Sequence, residues 1–318
     1  MGQTAVIVGA AGQDGRLVAE LLSSKGYRVL GLARGAVSGD LGDVAGSSVD
    51  ITNFEAVAAV VGRVAPDEIY HLAAVHHSAQ ESPSQDLAAF RSAYEVNFFS
   101  LLNFLEAIRL YAPKARLFYA ASSHVFGATS ADHLQNESTP FEPQSLYAMT
   151  KVDGLLACRQ YRKVHGVFAS VGILYNHESS YREEKFLTKK VIRAVAEIKA
   201  GRRDQLALGD LNAEVDWGYA PDYVEAMHAI LSAPHADEFV VASGVRRTVR
   251  DFVAAAFAAA DLDWKRYVAE KAQAIDRRPV SRIGDASKLT RATGWKPKTE
   301  FHDMVRRLLE AELTSGPR

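Results

Sequence analysis

The sequence predicts an α/β fold: a doubly wound parallel sheet (Rossmann) with a smaller C-terminal α/β lobe. Three observations predict it. Short, continuous apolar runs alternate with helical patterns through the first 175 residues, as in parallel strands covered on both faces. A glycine-rich turn, Gly9-Ala-Ala-Gly12-Gln-Asp-Gly15, lies between the first strand and the first helix. After about residue 176 the apolar runs thin out and helical patterns dominate. We therefore expect two units, 1–175 and 176–318, with room for the later chain to cross back to the sheet.

The elements follow in order. Residues 4–8 form a compact apolar run, hence a strand. Residues 14–25 carry helical periodicity and Gly26 is placed to cap them. A second strand is expected over 27–33. Asn53 can cap a helix running to about 64, because its side chain accepts from a free N–H of the first turn. A third strand spans 69–74, a long helix 86–111, a strand 116–121, a helix 145–165 and a strand 168–174. Beyond these come helices over 186–200, 221–232, 248–260 and 301–313, with short strands near 206–208 and 239–242. The Ala-rich stretch 253–260 reads as helix rather than linker. No repeat or low-complexity tract interrupts the chain.

Bulk properties narrow the function. The chain has 318 residues, 48% of them hydrophobic, enough for one large domain or two unequal ones. A net charge of −1 argues against a nucleic-acid or membrane partner recognised by charge. No apolar run reaches the roughly 20 residues a membrane span needs, and the N-terminus enters a strand without a signal peptide. The single cysteine, Cys158, excludes an internal disulfide and suits a reducing, cytoplasmic setting; in its apolar helical surroundings it reads as a packing residue. No Cys, His and carboxylate group has metal-ligand spacing, so no metal is expected.

Chemistry concentrates around Tyr147 and Lys151. A spacing of four puts both side chains on one helix face. A cation beside a phenol favours the phenolate and lowers its pKa from about 10. Such a tyrosine can take a proton from a sugar hydroxyl while a hydride leaves the same carbon. Upstream, the glycines of the first turn allow backbone N–H groups to approach a pyrophosphate at a helix N-terminus. Arg34, at the end of the second strand, suits the extra phosphate of NADP, whereas an acidic residue there would suit NAD. Asp50, followed by Ile51, could accept from an adenine amino group.

Ser122, Tyr147 and Lys151 together resemble the catalytic set of the extended short-chain dehydrogenase/reductase family. Leu72-Ala73-Ala74 after the third strand and Asn97 in the following helix fit the same pattern. A narrower resemblance is to the GDP-mannose 4,6-dehydratases. It rests on Gly12-Gln13-Asp14-Gly15, Gly172 to Ser179, Phe186 to Lys199, the Leu208–Ala213 segment, Asp216-Trp217-Gly218, Asp222 to Met227, and Arg278-Pro279 with Gly284-Asp285 and Gly294 to Pro297. The resemblance implies a tightly held NADP (NAD is the alternative) and a GDP-sugar substrate. It implies cofactor contacts from Gly9, Gly12, Gln13, Asp14, Gly15, Arg34, Asp50, Ile51, Leu72, Ala73, Ala74, Tyr147 and Lys151. It implies substrate contacts from His77, Ser123, Asn176, Glu178, Leu187, Lys190 and Arg278. By motif position Asn176, Lys190 and Arg278 would meet the nucleotide or its diphosphate, and Arg supplies bidentate donors to phosphate. The resemblance also implies a homodimer through the helices near 90–110 and 145–165, with a tetramer as the larger option.

Three departures from that pattern matter. Aligned on Gly127, Ser122 takes the family's hydroxyl position, but His124 stands where the family has the glutamate that removes the C5 proton. Val215 replaces an arginine before Asp216-Trp217-Gly218. The arginine-rich loop after the second strand is shortened to Arg34-Gly35, which leaves NADP preference and tetramer formation open. A neutral imidazole can act as the C5 base and, once protonated, as an acid toward O6. The expected activity is therefore a 4,6-dehydration with Ser122, His124, Tyr147 and Lys151 as the catalytic residues. Alternatives are a C4 reductase or C4 epimerase of GDP-sugars, in which His124 only positions substrate, and last a non-enzymatic dinucleotide-binding relative. Among the other histidines, His76 and His77 follow the third strand at the carboxyl edge of the sheet, where ligands bind in open α/β sheets; His77 can line the sugar pocket or only satisfy local backbone groups, and His177 is expected to hold loop shape.

Overall fold

The structure, a computed structural model, describes residues 2–33, 45–76, 86–127, 133–270 and 281–314. Arg34, His77 and Arg278, expected in the site, lie outside the described residues.

Strand β1 (Thr4–Val8) runs through the middle of the molecule and turns at once into α1 (Gln13–Ser24). Leu17, Val18 and Leu22 recur at helical spacing and are buried, each contributing roughly 1.5–3 kcal/mol of apolar burial. β2 (Arg28–Ala33) lies parallel to β1, and β3 (Ala45–Ser48) lies outside it. The helix α2 (Phe54–Val64) begins where Asn53 accepts a 2.9 Å bond from the Ala56 N–H. β4 (Glu68–His71) pairs with the other side of β1. The helix expected over 86–111 is α3 (Leu87–Tyr94), one π-helical stretch (Glu95–Phe99) and α4 (Ser100–Tyr111). Apolar periodicity does not register a π turn, which adds one residue to the ladder without ending the rod.

β5 (Arg116–Ser122) ends in a single 3₁₀ turn, Ser123–Val125. α5 (Leu146–His165) is capped by Ser145, which accepts a 3.2 Å bond from the Ala148 N–H, and β6 (Phe168–Leu174) follows. The remaining elements are β7 (Asn176–Glu178), α6 (Leu187–Lys199), β8 (Leu206–Leu208), β9 (Glu214–Tyr219), α7 (Ala220–Ser232), β10 (Glu238–Val241), β11 (Arg246–Thr248), α8 (Val249–Ala258), β12 (Val268–Glu270), α9 (Ser287–Thr293) and α10 (Phe301–Thr314). Among the described residues no helix is long and apolar enough to cross a membrane.

Seven parallel strands form the main sheet in the order β10-β6-β5-β4-β1-β2-β3. The order reverses between β1 and β4, and a crevice therefore opens beyond their carboxyl ends. One core covers one face with α2, α4 and α5, and a second fills the other with α1 and α7. β10 comes from beyond residue 176 and pairs with β6 from Glu238↔Val171 to Val241↔Leu174. The second lobe is thus built on excursions from the sheet. It has its own core, in which Trp217 packs with α6, α8 and α10 beside the small sheet β11-β9-β7. Asp216 fastens it down: the buried carboxylate accepts from the Ser243 N–H and hydroxyl and from the N–H groups of Gly244 and Gly284. Cys158 is fully buried and burial pushes its thiol up to about 12, as suits a packing residue.

Candidate active site

The crevice begins at the glycine turn. Gly9 has φ +92°, and a Cβ there would stand 2.8 Å from the Ala73 nitrogen, so the Leu72-Ala73-Ala74 strand end passes directly over it. A Cβ on Gly15 would fall 2.3 Å from the Gly9 carbonyl oxygen. Gly12 differs. A Cβ there would meet only the Gly9 oxygen, at 3.4 Å. The protein itself does not require glycine at position 12; the space in front of it, at the N-terminus of a twelve-residue helix, is a cradle that a side chain would fill.

Gln13 and Asp14 turn their side chains across to the second lobe. Asp14 Oδ1 and Oδ2 each lie 3.1 Å from His177 Nε2, while His177 Nδ1–H donates to the Tyr175 carbonyl at 2.6 Å. The Gln13 amide donates to Asp14 and to the His177 carbonyl, both at 3.1 Å, and accepts from Ser179 Oγ at 2.8 Å. Burial penalises both charges, yet the pairing wins: Asp14 is held below the usual carboxylate range and His177 is raised above the usual imidazole value. His177 therefore shapes the junction between lobes. Further along the crevice, Asp50 Oδ1 closes a turn onto Thr52, and the Ile51 carbonyl accepts from Asn103.

Ser122 closes β5 and Tyr147 opens α5, which brings the serine hydroxyl into hydrogen-bonding influence on the phenol. Lys151, one turn on, is 1% exposed; its Nζ donates to the Ala120 carbonyl at 2.7 Å and lies 4.8 Å from the centre of the Tyr119 ring and 5.6 Å from that of Tyr147. The expected lowering of the Tyr147 pKa by Lys151 is overturned. Burial pushes the phenol up to about 12, against smaller opposing effects of Ser122 and Arg182. Burial also pulls Lys151 down to about 7, which weakens the cation that was to do the lowering. Asn97 braces the same corner: its side chain accepts from the Val75 N–H at 2.7 Å and donates to the Val75 carbonyl and to Thr150 Oγ1.

His124 reaches the site from the 3₁₀ turn, its N–H donating to Ser122 Oγ at 3.3 Å. Its ring centre is 6.1 Å from that of Tyr147. Burial, with Arg282 nearby, pulls the imidazole down to about 4, so it is uncharged at neutral pH. Ser123 beside it is buried at 3% exposure. Two residues with no assigned role complete the cleft. His76 lies edge-on to Tyr147 with ring centres 4.4 Å apart. Arg182 packs over the Phe186 ring at 3.7 Å and pairs with Glu178. His76 follows β4 at the carboxyl edge of the sheet, where a ligand is expected; no periodicity or motif points to Arg182, whose charge acts on the Tyr147 phenol from the segment before α6.

Of the expected substrate residues, Asn176 stands on β7 beside Trp217 of β9, at the rim of the second lobe. Glu178 is 2% exposed and its carboxylate accepts from Thr188 Oγ1 and pairs with Arg182. Its carboxylate is thus occupied within the protein, where it anchors the start of α6 and the Arg182 side chain. Leu187 is half-buried against the second-lobe core. Lys190, one turn further, is half-buried and has no acidic partner among the described residues, whereas Lys185, Lys189 and Arg193 are all paired. Among the described residues no three His, Cys, Asp or Glu side chains are grouped to hold a metal ion.

The family model described as GDP-mannose 4,6 dehydratase matches residues 6–308. GDP-mannose 4,6 dehydratase 2 of Arabidopsis thaliana is 35% identical over 99% of this chain and 88% of its own length. GDP-mannose 4,6-dehydratase of Vibrio cholerae is 32% identical over 100% of this chain and 96% of its own. Among solved structures, RMD from Pseudomonas aeruginosa complexed with NADPH superposes with a TM-score of 0.82 at 20% identity, covering 98% of this chain and 99% of that one. A dTDP-glucose 4,6-dehydratase from Bacillus anthracis in complex with NAD gives 0.83 at 18%, covering 98% and 96%. The solved structures share the fold; the sequence matches go further, and by them this chain belongs to the GDP-mannose 4,6-dehydratase family.

Proposed function

We propose that this protein is a GDP-sugar 4,6-dehydratase acting on GDP-mannose with a resident nicotinamide dinucleotide, NADP in preference to NAD. Two features support the cofactor. The cradle at Gly12 fits a pyrophosphate on the α1 N-terminus, and Arg34 follows β2 where a ribose phosphate would lie. Residues 1–175 would carry the dinucleotide, and most of 176–318 the sugar nucleotide. Lys190 and Arg278 would meet the diphosphate, and His77 and Asn176 the sugar and nucleotide.

The cofactor, when bound, supplies a transient hydride acceptor. The chain supplies the rest. Ser122 orients the substrate hydroxyl and Tyr147 takes the O4 proton. Lys151, desolvated beneath the phenol, would hold ribose hydroxyls. His124 removes the C5 proton, which is acidic beside the C4 ketone, and later returns a proton there. The observation that carries the reading is the half-buried, uncharged imidazole of His124, its ring centre 6.1 Å from that of Tyr147. A reductase or an epimerase at C4 needs no base at that place.

Incubation with GDP-mannose in D₂O, without reductant, tests this by NMR. A dehydratase yields a 4-keto-6-deoxy sugar with deuterium at C5. An epimerase yields a new hexose without it, and a reductase yields nothing until given a keto sugar and NADPH. His124→Ala is expected to stop C5 exchange while hydride transfer at C4 persists; exchange at the wild-type rate removes His124 as the base. We also propose a homodimer, on the exposed Phe99 of the π turn and the exposed Met149 and Leu156 of α5. A monodisperse monomer at micromolar concentration in sedimentation would refute it.

A further inference from the structure

With His124 serving C5 at both stages, and not O6, the proton balance of a 4,6-dehydration leaves one step without a residue. The departing water takes O6, its own hydrogen and one more proton. The C5 proton is replaced at C5, and the hydrogen of C4 ends on C6. The additional proton of the water is therefore the one released at O4. Tyr147 receives it at O4, and His124 serves C5. Neither assignment carries a proton from O4 to O6.

His76 stands where that transfer is needed. Its ring centre is 4.4 Å from that of Tyr147, at 77°, and 6.1 Å from that of His124, at 85°. With 6.1 Å between His124 and Tyr147, the three rings meet in one cluster. The ring of His76 is fixed from both sides. Asn97 holds the N–H and carbonyl of Val75 just before it, Lys185 donates to its own carbonyl at 3.3 Å, and Phe186 stacks on it at 5.8 Å. Its ring nitrogens make no hydrogen bond among the described residues, and neither is sealed from solvent.

We infer that His76 takes the O4 proton over from Tyr147 and delivers it to O6. This rests on the dehydratase reading. The O4–H bond breaks toward the phenol oxygen, the phenolic proton passes to the imidazole of His76, and the C4 hydrogen leaves as hydride for the dinucleotide that would be bound. The C5–H bond breaks toward His124, its electron pair forming the C5=C6 double bond. The C6–O6 pair leaves with the oxygen, which takes the proton from His76 and departs as water. As the hydride taken from C4 returns to C6, His124 protonates C5, and both imidazoles end uncharged, as they began. Burial, then His124, Arg182 and Lys185, pull His76 down to about 3, so it is free to accept at neutral pH and strongly acidic once it has done so.

The test follows two signals at once in D₂O with GDP-mannose: deuterium at C5 of recovered substrate, and formation of the 4-keto-6-deoxy product. In the wild type, removal at C5 is followed by loss of water, and recovered substrate gains little deuterium. His76→Ala and His76→Asn are expected to form product about 100-fold or more slowly while C5 washout into recovered GDP-mannose rises relative to product. Added imidazole is expected to restore product with His76→Ala, because the vacated space fits that ring; a purely structural role would not give this rescue. A washout-to-product ratio unchanged from wild type overturns the inference, whatever the overall rate. So do variants inert in both signals that imidazole does not revive. If the wild type itself forms no 4-keto-6-deoxy sugar, the dehydratase reading fails and this inference falls with it.

Discussion

The Asp14 carboxylate and the His177 imidazole stand 3.1 Å apart across the junction of the two lobes, one at the first turn of α1, the other on β7. The pair has a pH signature. His177 is raised above its ordinary 6.5, so its contribution is complete below that value and is lost as pH rises through the raised one. Asp14 is lowered from 3.8, so its contribution is present above that value and is lost only as pH falls through the lowered one. Asp14→Asn is therefore expected to destabilise the protein by about 2–3 kcal/mol at pH 6, somewhat less than a fully buried pair, and by much less at pH 9. Urea unfolding at both pH values measures it. Equal losses would mean that the pair is held by packing and not by charge.

The glycine turn separates two kinds of glycine. Gly9→Ala places a β-carbon into the backbone of Ala73 at a positive φ, and Gly15→Ala places one on the Gly9 carbonyl; each is expected to cost about 2 kcal/mol or more of stability. Gly12→Ala meets no such obstacle and is expected to unfold within about 0.5–1 kcal/mol of the wild type. Its effect should appear in the dinucleotide instead, as at least a tenfold weaker affinity in a fluorescence titration. Wild-type affinity in a well-folded Gly12→Ala protein would place the pyrophosphate elsewhere.

Much of this was legible because it is local. Alternating strands and helices, the turn from Gly9 to Gly15, and the Ser122, Tyr147 and Lys151 set all write themselves within one or two elements. What was not legible depends on return contacts. β10 joins β6 because Glu238 to Val241 fit the open edge of the sheet, which no periodicity of their own reveals. Arg182 becomes a site residue only when the segment before α6 brings its charge near Tyr147 and lays Phe186 on His76. The phenol's pKa was misjudged for the same reason: spacing puts Lys151 near Tyr147, but spacing does not report how dry the corner is.

That dryness has a measurable consequence at Lys151. Burial lowers its ammonium from 10.5 to about 7, so below pH 7 the folded protein bears a charge it cannot hydrate. The unfolded chain binds more protons between those values, and the penalty fades as pH climbs from 7 toward 10.5. Lys151→Met is thus expected to raise the Tm of the dinucleotide-free protein by a few degrees at pH 6, by less at pH 10, and to abolish turnover. An unaltered or lower Tm at pH 6 would show that the 2.7 Å bond to the Ala120 carbonyl and the Tyr119 ring outweigh the desolvation.

Two neighbouring lysines offer the final contrast. Lys189 is tied to Glu312 of α10 at 2.6 Å, with both side chains largely buried, and so holds α6 against the C-terminal helix. Lys190 is half-buried on α6 with no acidic partner among the described residues. A half-buried cation without an acidic partner among the described residues is free to take an anion from solution, and the diphosphate of a GDP-sugar is the anion proposed for it. Lys190→Ala is expected to raise KM for GDP-mannose about 10–100-fold, equivalent to a charged hydrogen bond of about 1.5–3 kcal/mol, with Tm unchanged. Lys189→Ala is expected to lower Tm by a few degrees and leave KM within threefold. Steady-state kinetics and thermal unfolding on the two variants decide it. If Lys189→Ala carries the KM effect and Lys190→Ala does not, the diphosphate lies on the other side of α6.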